Sequence, residues 1–148
     1  MAKALETASE ALDHGEVPVG AIIIDGNGAL LAAASNRPIT ENDPTAHAEV
    51  LALRAAAKKI GNYRLVGCTL YATIEPCSMC AGALVNARIK RLVYGAADER
   101  FGAVDTHFNI CSSPDLNHRV EISSGLLADE CRQLIRDFFK AKRSESRL

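Results

Sequence analysis

Two short stretches decide what this sequence can fold into, and they read Pro44-Thr45-Ala46-His47-Ala48-Glu49 and Pro76-Cys77-Ser78-Met79-Cys80. Each opens with a proline, Pro44 or Pro76, which favours the first turn of a helix. In the first stretch, Asp43 or Thr45 can also cap the helix. The first stretch leads into an alanine-rich run to about residue 59, and the second into a run to about residue 87. The polar side chains of both stretches are therefore predicted in the first turns of two helices.

The segments before these stretches predict a helix and a strand pair. Residues 2–13 have apolar side chains at helical spacing, and His14-Gly15 ends that pattern. Residues 17–24 and 29–34 are predicted strands, joined by a tight turn at Asp25-Gly26-Asn27-Gly28. The polar residues 35–44 are predicted to form a loop.

The segments after them alternate between strand and helix. Residues 69–74 and 91–94 predict strands, residues 96–118 look irregular, and residues 120–122 could form a last strand. An amphipathic helix is predicted from residue 126 to about residue 143. The order indicates a layered α/β domain with a mixed sheet, and residues 1–148 are predicted to form one domain.

Composition narrows the class of protein. The formal net charge is -1, and no run approaches the roughly 18 apolar residues that a membrane helix needs. The acidic, amphipathic N-terminus does not resemble a secretory signal, so we expect a cytoplasmic protein without membrane contact. Any RNA contact would need a local basic patch, and the candidates are Arg88, Lys90 and Arg91 and the tail residues Lys140, Lys142, Arg143 and Arg147.

The cysteines favour metal binding or burial over disulfides. There are five of them, an odd number, in a chain large enough to fold without covalent cross-links. Cys77 and Cys80 share one face of a predicted first turn, where the helix N-terminus favours thiolates. With His47 they supply three zinc ligands and leave a fourth position open, which is the catalytic arrangement. Alone, the Cys-x-x-Cys pattern would also fit a redox dithiol in a thioredoxin-like context.

Glu49, two residues beyond the predicted ligand His47, is the candidate proton carrier. Zinc with an open position lowers the pKa of a bound water towards about 7, so a nucleophile is available at neutral pH. A carboxylate that does not bind the metal can then take a proton and return it to the leaving group. One zinc ion per chain is therefore expected, with Glu49 as the catalytic residue.

The combination of His-x-Glu with Pro-Cys-x-x-Cys resembles the zinc deaminases that act on nucleobases. At full length the chain resembles the bacterial tRNA-specific adenosine deaminases, which convert adenosine to inosine at the anticodon wobble position. The segments that carry this resemblance are Glu16-Val17-Pro18-Val19-Gly20, Asn36-Arg37-Pro38, Pro44 to Glu49, Glu75-Pro76-Cys77, Met79-Cys80-Ala81-Gly82-Ala83, Gly95-Ala96, Asn117-His118-Arg119 and Asp137-Phe138-Phe139.

The resemblance implies a three-layer α/β/α cytidine-deaminase-like fold with a five-stranded mixed sheet, a homodimer, and a tRNA anticodon stem-loop as substrate. It assigns Asn36 to hydrogen bonding with the flipped base, places Ala48 and Glu49 beside the polar edge of that base, and gives Phe139 a contact with anticodon-loop nucleotides. Residues 104–108 depart from the family pattern, and they could shape the rim of the substrate site.

Two other functions fit part of the sequence. A small-molecule deaminase of the same fold, acting on guanine, cytosine or a nucleoside, would use the same zinc ligands. A non-catalytic RNA-binding or scaffold subunit could keep zinc for stability, but it would have no use for Glu49.

Overall fold

The helices and strands alternate along the chain as the sequence pattern predicts. The computed structural model describes residues 1–148. The elements are α1 (Ala2–Glu10), β1 (Gly20–Ile24), β2 (Leu30–Ser35), α2 (Pro38–Glu41), α3 (Ala48–Ile60), β3 (Thr69–Ile74), α4 (Ser78–Asn86), β4 (Arg91–Ala96), β5 (Glu121–Ser124) and α5 (Ala128–Glu145). None of the helices is long and apolar enough to cross a membrane.

The five strands form one mixed sheet in the order β2-β1-β3-β4-β5. β1 runs antiparallel to both β2 and β3, whereas β4 runs parallel to both β3 and β5. The hairpin of β1 and β2 needs only a short turn, and α4 provides the crossover that a parallel β3–β4 pair requires. The five-stranded mixed sheet is therefore confirmed.

One face of the sheet packs against α3 and α4. Alternate residues of the strands point to this face, and Ile23, Leu70 and Leu92 are fully buried there. They belong to one apolar cluster together with Ala52 of α3 and Leu84 of α4. This cluster fixes the first turns of the two helices relative to the sheet.

The other face packs against α1 and α5, and glycines allow the close approach. A Cβ atom on Gly20 would lie 2.6 Å from the backbone nitrogen of Ala8 in α1. A Cβ atom on Gly95 would lie 2.5 Å from Sγ of Cys131 in α5. Helices therefore cover both faces of the sheet, which confirms the three-layer α/β/α architecture.

Four predicted boundaries are wrong. The first strand begins at Gly20 rather than at residue 17. The helix expected from Asp43 begins at Ala48, because Oδ1 of Asp43 accepts hydrogen bonds from the backbone N–H and the hydroxyl of Thr45 and holds a turn there. The second helix begins at Ser78 rather than Pro76. The predicted loop 35–44 also contains the one-turn helix α2.

Candidate metal and catalytic site

The N-termini of α3 and α4 lie side by side and present the predicted metal ligands. His47 is the N-cap residue of α3 and Cys77 that of α4, both with extended backbone. The backbone carbonyls of His47 and Cys77 accept the first helical hydrogen bonds, from Leu51 at 3.0 Å and Ala81 at 2.8 Å. An N-cap side chain projects beside unpaired N–H groups at the positive end of the helix dipole. That environment stabilises a thiolate.

His47, Cys77 and Cys80 bring their ligand atoms together. Nδ1 of His47 is 3.6 Å from Sγ of Cys77 and 3.5 Å from Sγ of Cys80. The three atoms all lie within 4.8 Å of one another. Zinc bonds of about 2.0–2.1 Å to nitrogen and about 2.3 Å to sulfur, at tetrahedral angles, separate those ligands by about 3.6 Å. The donor set and its spacing therefore fit a zinc ion.

Glu49 lies next to this ligand set and is not part of it. It is 4% exposed, and its Oε2 lies 3.1 Å from Sγ of Cys80. Burial raises the pKa of Glu49 above its ordinary value, since the charged form loses its hydration. A carboxylate with a raised pKa can both accept and release a proton near neutral pH.

The two thiols share their protons unequally. The hydrogen bond from Cys80 outweighs burial and lowers the pKa of Cys77 to about 4. The same interaction, together with burial and the nearby Glu49 carboxylate, raises the pKa of Cys80. Because both sulfurs bind a metal as thiolates, metal binding must release a proton from this pair.

Asn36 connects the loop after β2 to the start of α3. Its Oδ1 accepts a hydrogen bond of 2.9 Å from the backbone N–H of Ala48. This bond satisfies one of the unpaired amides of the first turn and holds the helix end that carries His47. No protein group accepts a hydrogen bond from Nδ2 of Asn36, so that amide group is available to a ligand.

A cavity of about 880 Å³ opens over the ligand set. His47, Glu49, Cys77 and Asn36 line it, and of these Glu49 and Asn36 are buried. Its walls carry the aromatic side chains Phe101, Phe108 and Phe139 and the basic side chains Arg100, Arg132 and Arg136. A cavity of this size can hold a base together with part of its attached nucleotide. The aromatic and cationic walls suit bases and phosphates.

Most of the residues predicted from the sequence meet at this cavity. His47, Glu49, Cys77, Asn36 and Phe139 line it, and Cys80 lies buried below. Phe139 is 43% exposed, so it does not belong to the core. Ala48 is fully buried, does not line the cavity, and donates its N–H to Asn36. A substrate contact by Ala48 therefore stays a prediction.

The sequence reasoning missed the cavity wall formed by the segment after β4. Arg100 and Phe101 lie in a stretch without periodicity, so nothing in the sequence alone placed them at the site. The basic residues that the charge pattern suggested, Arg88, Lys90 and Arg91 and the tail, do not line the cavity. The departure from the family pattern at residues 104–108 was the one available signal, and His107 and Phe108 of that stretch do line the cavity. That these residues shape the rim of a substrate site stays a prediction.

Comparison with known proteins supplies the family. The family model described as MafB19-like deaminase matches residues 1–143. The tRNA-specific adenosine deaminase of Haemophilus influenzae is 47% identical over 148 residues, which cover 100% of this chain and 86% of that protein. The chain belongs to the tRNA-specific adenosine deaminase family. A second member of this family, from Bacillus subtilis, is 41% identical over 99% of this chain and 91% of its own length.

Solved structures agree with this membership. A structure from a study of A-to-I editing by tRNA:A34 deaminases at the wobble position superposes with a TM-score of 0.87 and 42% identity, covering 90% of this chain and 96% of that chain. A guanine deaminase from Nitrosomonas europaea superposes with a TM-score of 0.79 and 27% identity, covering 93% of this chain and 81% of that chain. The family fold thus also serves enzymes that act on a free base.

Proposed function

We propose that this chain deaminates adenosine to inosine at the wobble position of a tRNA anticodon loop. The observation that carries the proposal is a group of three possible metal ligands with a separate buried carboxylate, in the lining of a cavity that also has aromatic and cationic side chains. The family relationship supplies the substrate, because the relatives at 47% and 41% identity are tRNA-specific adenosine deaminases.

His47, Cys77 and Cys80 would hold one zinc ion per chain. Bound there, zinc would supply a water molecule acidic enough to act as a nucleophile at neutral pH. Two thiolates and an imidazole favour zinc over harder cations such as magnesium. The first turn of α4 would help to stabilise the Cys77 thiolate, because the backbone N–H of Cys80 bonds to its sulfur.

Glu49 would move the protons. The reaction consumes one water and releases ammonia, so a proton must pass from the attacking water to the ring nitrogen beside the attacked carbon, and a further proton must reach the leaving amine. Glu49 can make both transfers because it is buried in the lining of the cavity without being one of the ligands. Its raised pKa suits the protonated state that it must adopt between the two transfers.

Substrate binding would use the cavity end and its rim. Nδ2 of Asn36 would donate to the flipped base, Phe139 would stack on a neighbouring nucleotide, and Ala48 would lie beside the polar edge of the base. The resemblance also supports a homodimer whose RNA site draws on both subunits. A tRNA substrate would place the enzyme in the cytoplasm.

A small-molecule deaminase is the second candidate, because the cavity would also accept a free base and the guanine deaminase shares the fold. The deciding experiment incubates zinc-loaded protein with an anticodon stem-loop that carries adenosine at the wobble position. Free guanine, cytosine and adenosine are tested in parallel, and products are identified by mass spectrometry. Inosine in the stem-loop alone supports tRNA editing. Product from a free base or nucleoside, with unchanged RNA, would move the enzyme to small-molecule substrates.

A further inference from the structure

Residues 97–108, which we term the rim segment, form one wall of the cavity. Asp98, Arg100, Phe101, His107 and Phe108 of this segment line the cavity. Phe101 is 66% exposed and Phe108 is 79% exposed, so neither ring is held in the apolar core. The segment contains no helix or strand. Something other than regular secondary structure must therefore fix its shape.

The carboxylate of Glu75 lies inside the curve of the rim segment. It is 2% exposed and accepts five hydrogen bonds from the segment. Its Oε2 accepts the backbone N–H groups of Val104 at 3.1 Å, Asp105 at 3.0 Å and Thr106 at 3.0 Å. Its Oε1 accepts the backbone N–H of Asp98 at 3.2 Å and the hydroxyl of Thr106 at 2.6 Å.

Only a carboxylate matches this set of partners. All five partners donate a hydrogen to the side chain of Glu75, and an ionised carboxylate offers two oxygens that only accept. A Gln side chain has only one accepting oxygen, and its NH₂ group would face the donors that now bond to the second carboxylate oxygen. Hydrogen bonds to a charged acceptor are also about twice as strong as neutral ones. Four of the five donors are backbone groups, so the side chains of the rim segment can vary while its path is kept.

The segment is also packed closely against Glu75. A Cβ atom on Gly102 would lie 2.5 Å from Oε1 of Glu75 and 2.6 Å from the carbonyl oxygen of Asp98. No other residue type therefore fits at position 102 without displacing the carboxylate or the segment. A second link is made by the hydroxyl of Tyr94 in β4, which donates to Oδ2 of Asp105.

We propose that Glu75 is a positioning residue for substrate: it fixes the path of the rim segment and so sets where Arg100, Phe101 and Phe108 meet the nucleotides around the reacting base. This role rests on the proposed function for the identity of the substrate. Both carboxylate oxygens are occupied by the segment, so Glu75 acts through it and takes no part in the proton transfers of Glu49.

The test changes each partner of the contact between the Glu75 carboxylate and the rim segment. Glu75→Gln changes the acceptor, and Gly102→Ala forces the carboxylate and the segment apart while the Glu75 side chain keeps its chemistry. Thr106→Val removes one donor, whereas Thr106→Ser keeps it. Glu16→Gln is the matched control for hydrogen exchange. Glu16 is 1% exposed, and its Oε1 accepts hydrogen bonds from the backbone N–H of Thr40 at 2.7 Å and from the hydroxyl of Thr40 at 3.0 Å. Neither residue belongs to the rim segment. The readouts are amide hydrogen exchange, zinc content, and kcat and KM on the stem-loop.

We expect the amides of residues 104–106 to exchange at least about tenfold faster in Glu75→Gln and Gly102→Ala, because bonds to a charged acceptor are lost. KM should rise about tenfold and kcat should change by less than about threefold, with zinc content unchanged. Thr106→Val should show a smaller effect of the same kind, and Thr106→Ser none. Glu16→Gln should leave the exchange of the rim segment unchanged.

Two results would overturn the proposal. One is unchanged exchange of residues 104–106 in both Glu75→Gln and Gly102→Ala. The other is loss of zinc and of kcat in Glu75→Gln while Gly102→Ala behaves as wild type, which would make Glu75 a support for Cys77. If the wild-type protein converts only a free base, the proposed function fails, but exchange and the KM for that base still decide the role of Glu75.

Discussion

Glu49 and Cys80 are in contact, yet the chemistry assigns them different tasks. Cys80 is one of the three residues that could hold a metal ion, and Glu49 is not one of them. Replacing Glu49 should therefore separate metal binding from catalysis. Cys77 differs in the same way from Cys68, Cys111 and Cys131, which lie outside the group of possible metal ligands.

Glu49→Gln should reduce kcat on the stem-loop by a factor of about 10² to 10⁴, because the proton carrier is lost. Zinc content should stay at one ion per chain. Glu6→Gln on the exposed face of α1 is the control and should retain full activity. Wild-type activity in Glu49→Gln and Glu49→Ala would contradict the catalytic assignment.

His47→Ala and Cys77→Ala should each lose most of the zinc, since two remaining ligands cannot hold the ion tightly. Metal content is measured by atomic emission after gel filtration. Cys111→Ala provides the control, because Cys111 is buried and lies outside the ligand set, and it should keep its zinc. A full zinc complement in either ligand variant would show that the metal is held elsewhere.

Thiol reactivity should follow the pKa of each cysteine. Burial raises the pKa of Cys111 to about 12 and that of Cys131 to about 11, so both remain protonated and slow to react at pH 8. With a pKa of about 4, Cys77 is a thiolate in the metal-free protein. Brief alkylation of metal-free protein, read by peptide mass spectrometry, should therefore modify Cys77 first. Zinc should protect it, and equal labelling of Cys111 would contradict the prediction.

At the scale of elements, close packing between helices and the sheet can be tested through glycines. Gly20→Ala should lower the free energy of unfolding by about 1–3 kcal/mol, because its Cβ would strike the backbone of α1. Gly82→Ala is the matched control in α4, where no heavy atom lies within 4 Å of the added Cβ. It should raise stability by about 0.5–1 kcal/mol through helix propensity. Urea unfolding measures both, and equal effects would refute the packing argument.

The elements themselves were largely predictable, because strand and helix periodicities differ and the core faces of β1, β3 and β4 are apolar. The starts of α3 and α4 were not. Local hydrogen bonds that Thr45 donates to the Asp43 carboxylate compete with the helix and delay its start to Ala48. The cavity wall could not be predicted either, since the path of the rim segment depends on Glu75, which is distant in sequence from its partners. No local pattern encodes that contact.

On the scale of the whole molecule, the low net charge makes RNA affinity depend on a few local cations. Binding of the stem-loop should weaken with salt, and Arg100→Ala or Arg136→Ala should each reduce the slope of log affinity against log salt by about 0.7. Arg64→Ala is the control, because Arg64 is exposed but does not line the cavity. A loss of slope in Lys142→Ala but not in Arg100→Ala would assign the phosphate contacts to the tail.

The ligand set also joins distant parts of the chain. His47 and Cys77 are 30 residues apart in sequence, so a zinc ion held by both closes a long loop, as a disulfide would. A cross-link of that length lowers the conformational entropy of the unfolded chain and so stabilises the folded state by about 3–4 kcal/mol. Chelation should therefore lower the melting temperature as well as abolish turnover. In a zinc-starved cell the protein would become easier to degrade, so its abundance as well as its activity would follow the metal supply.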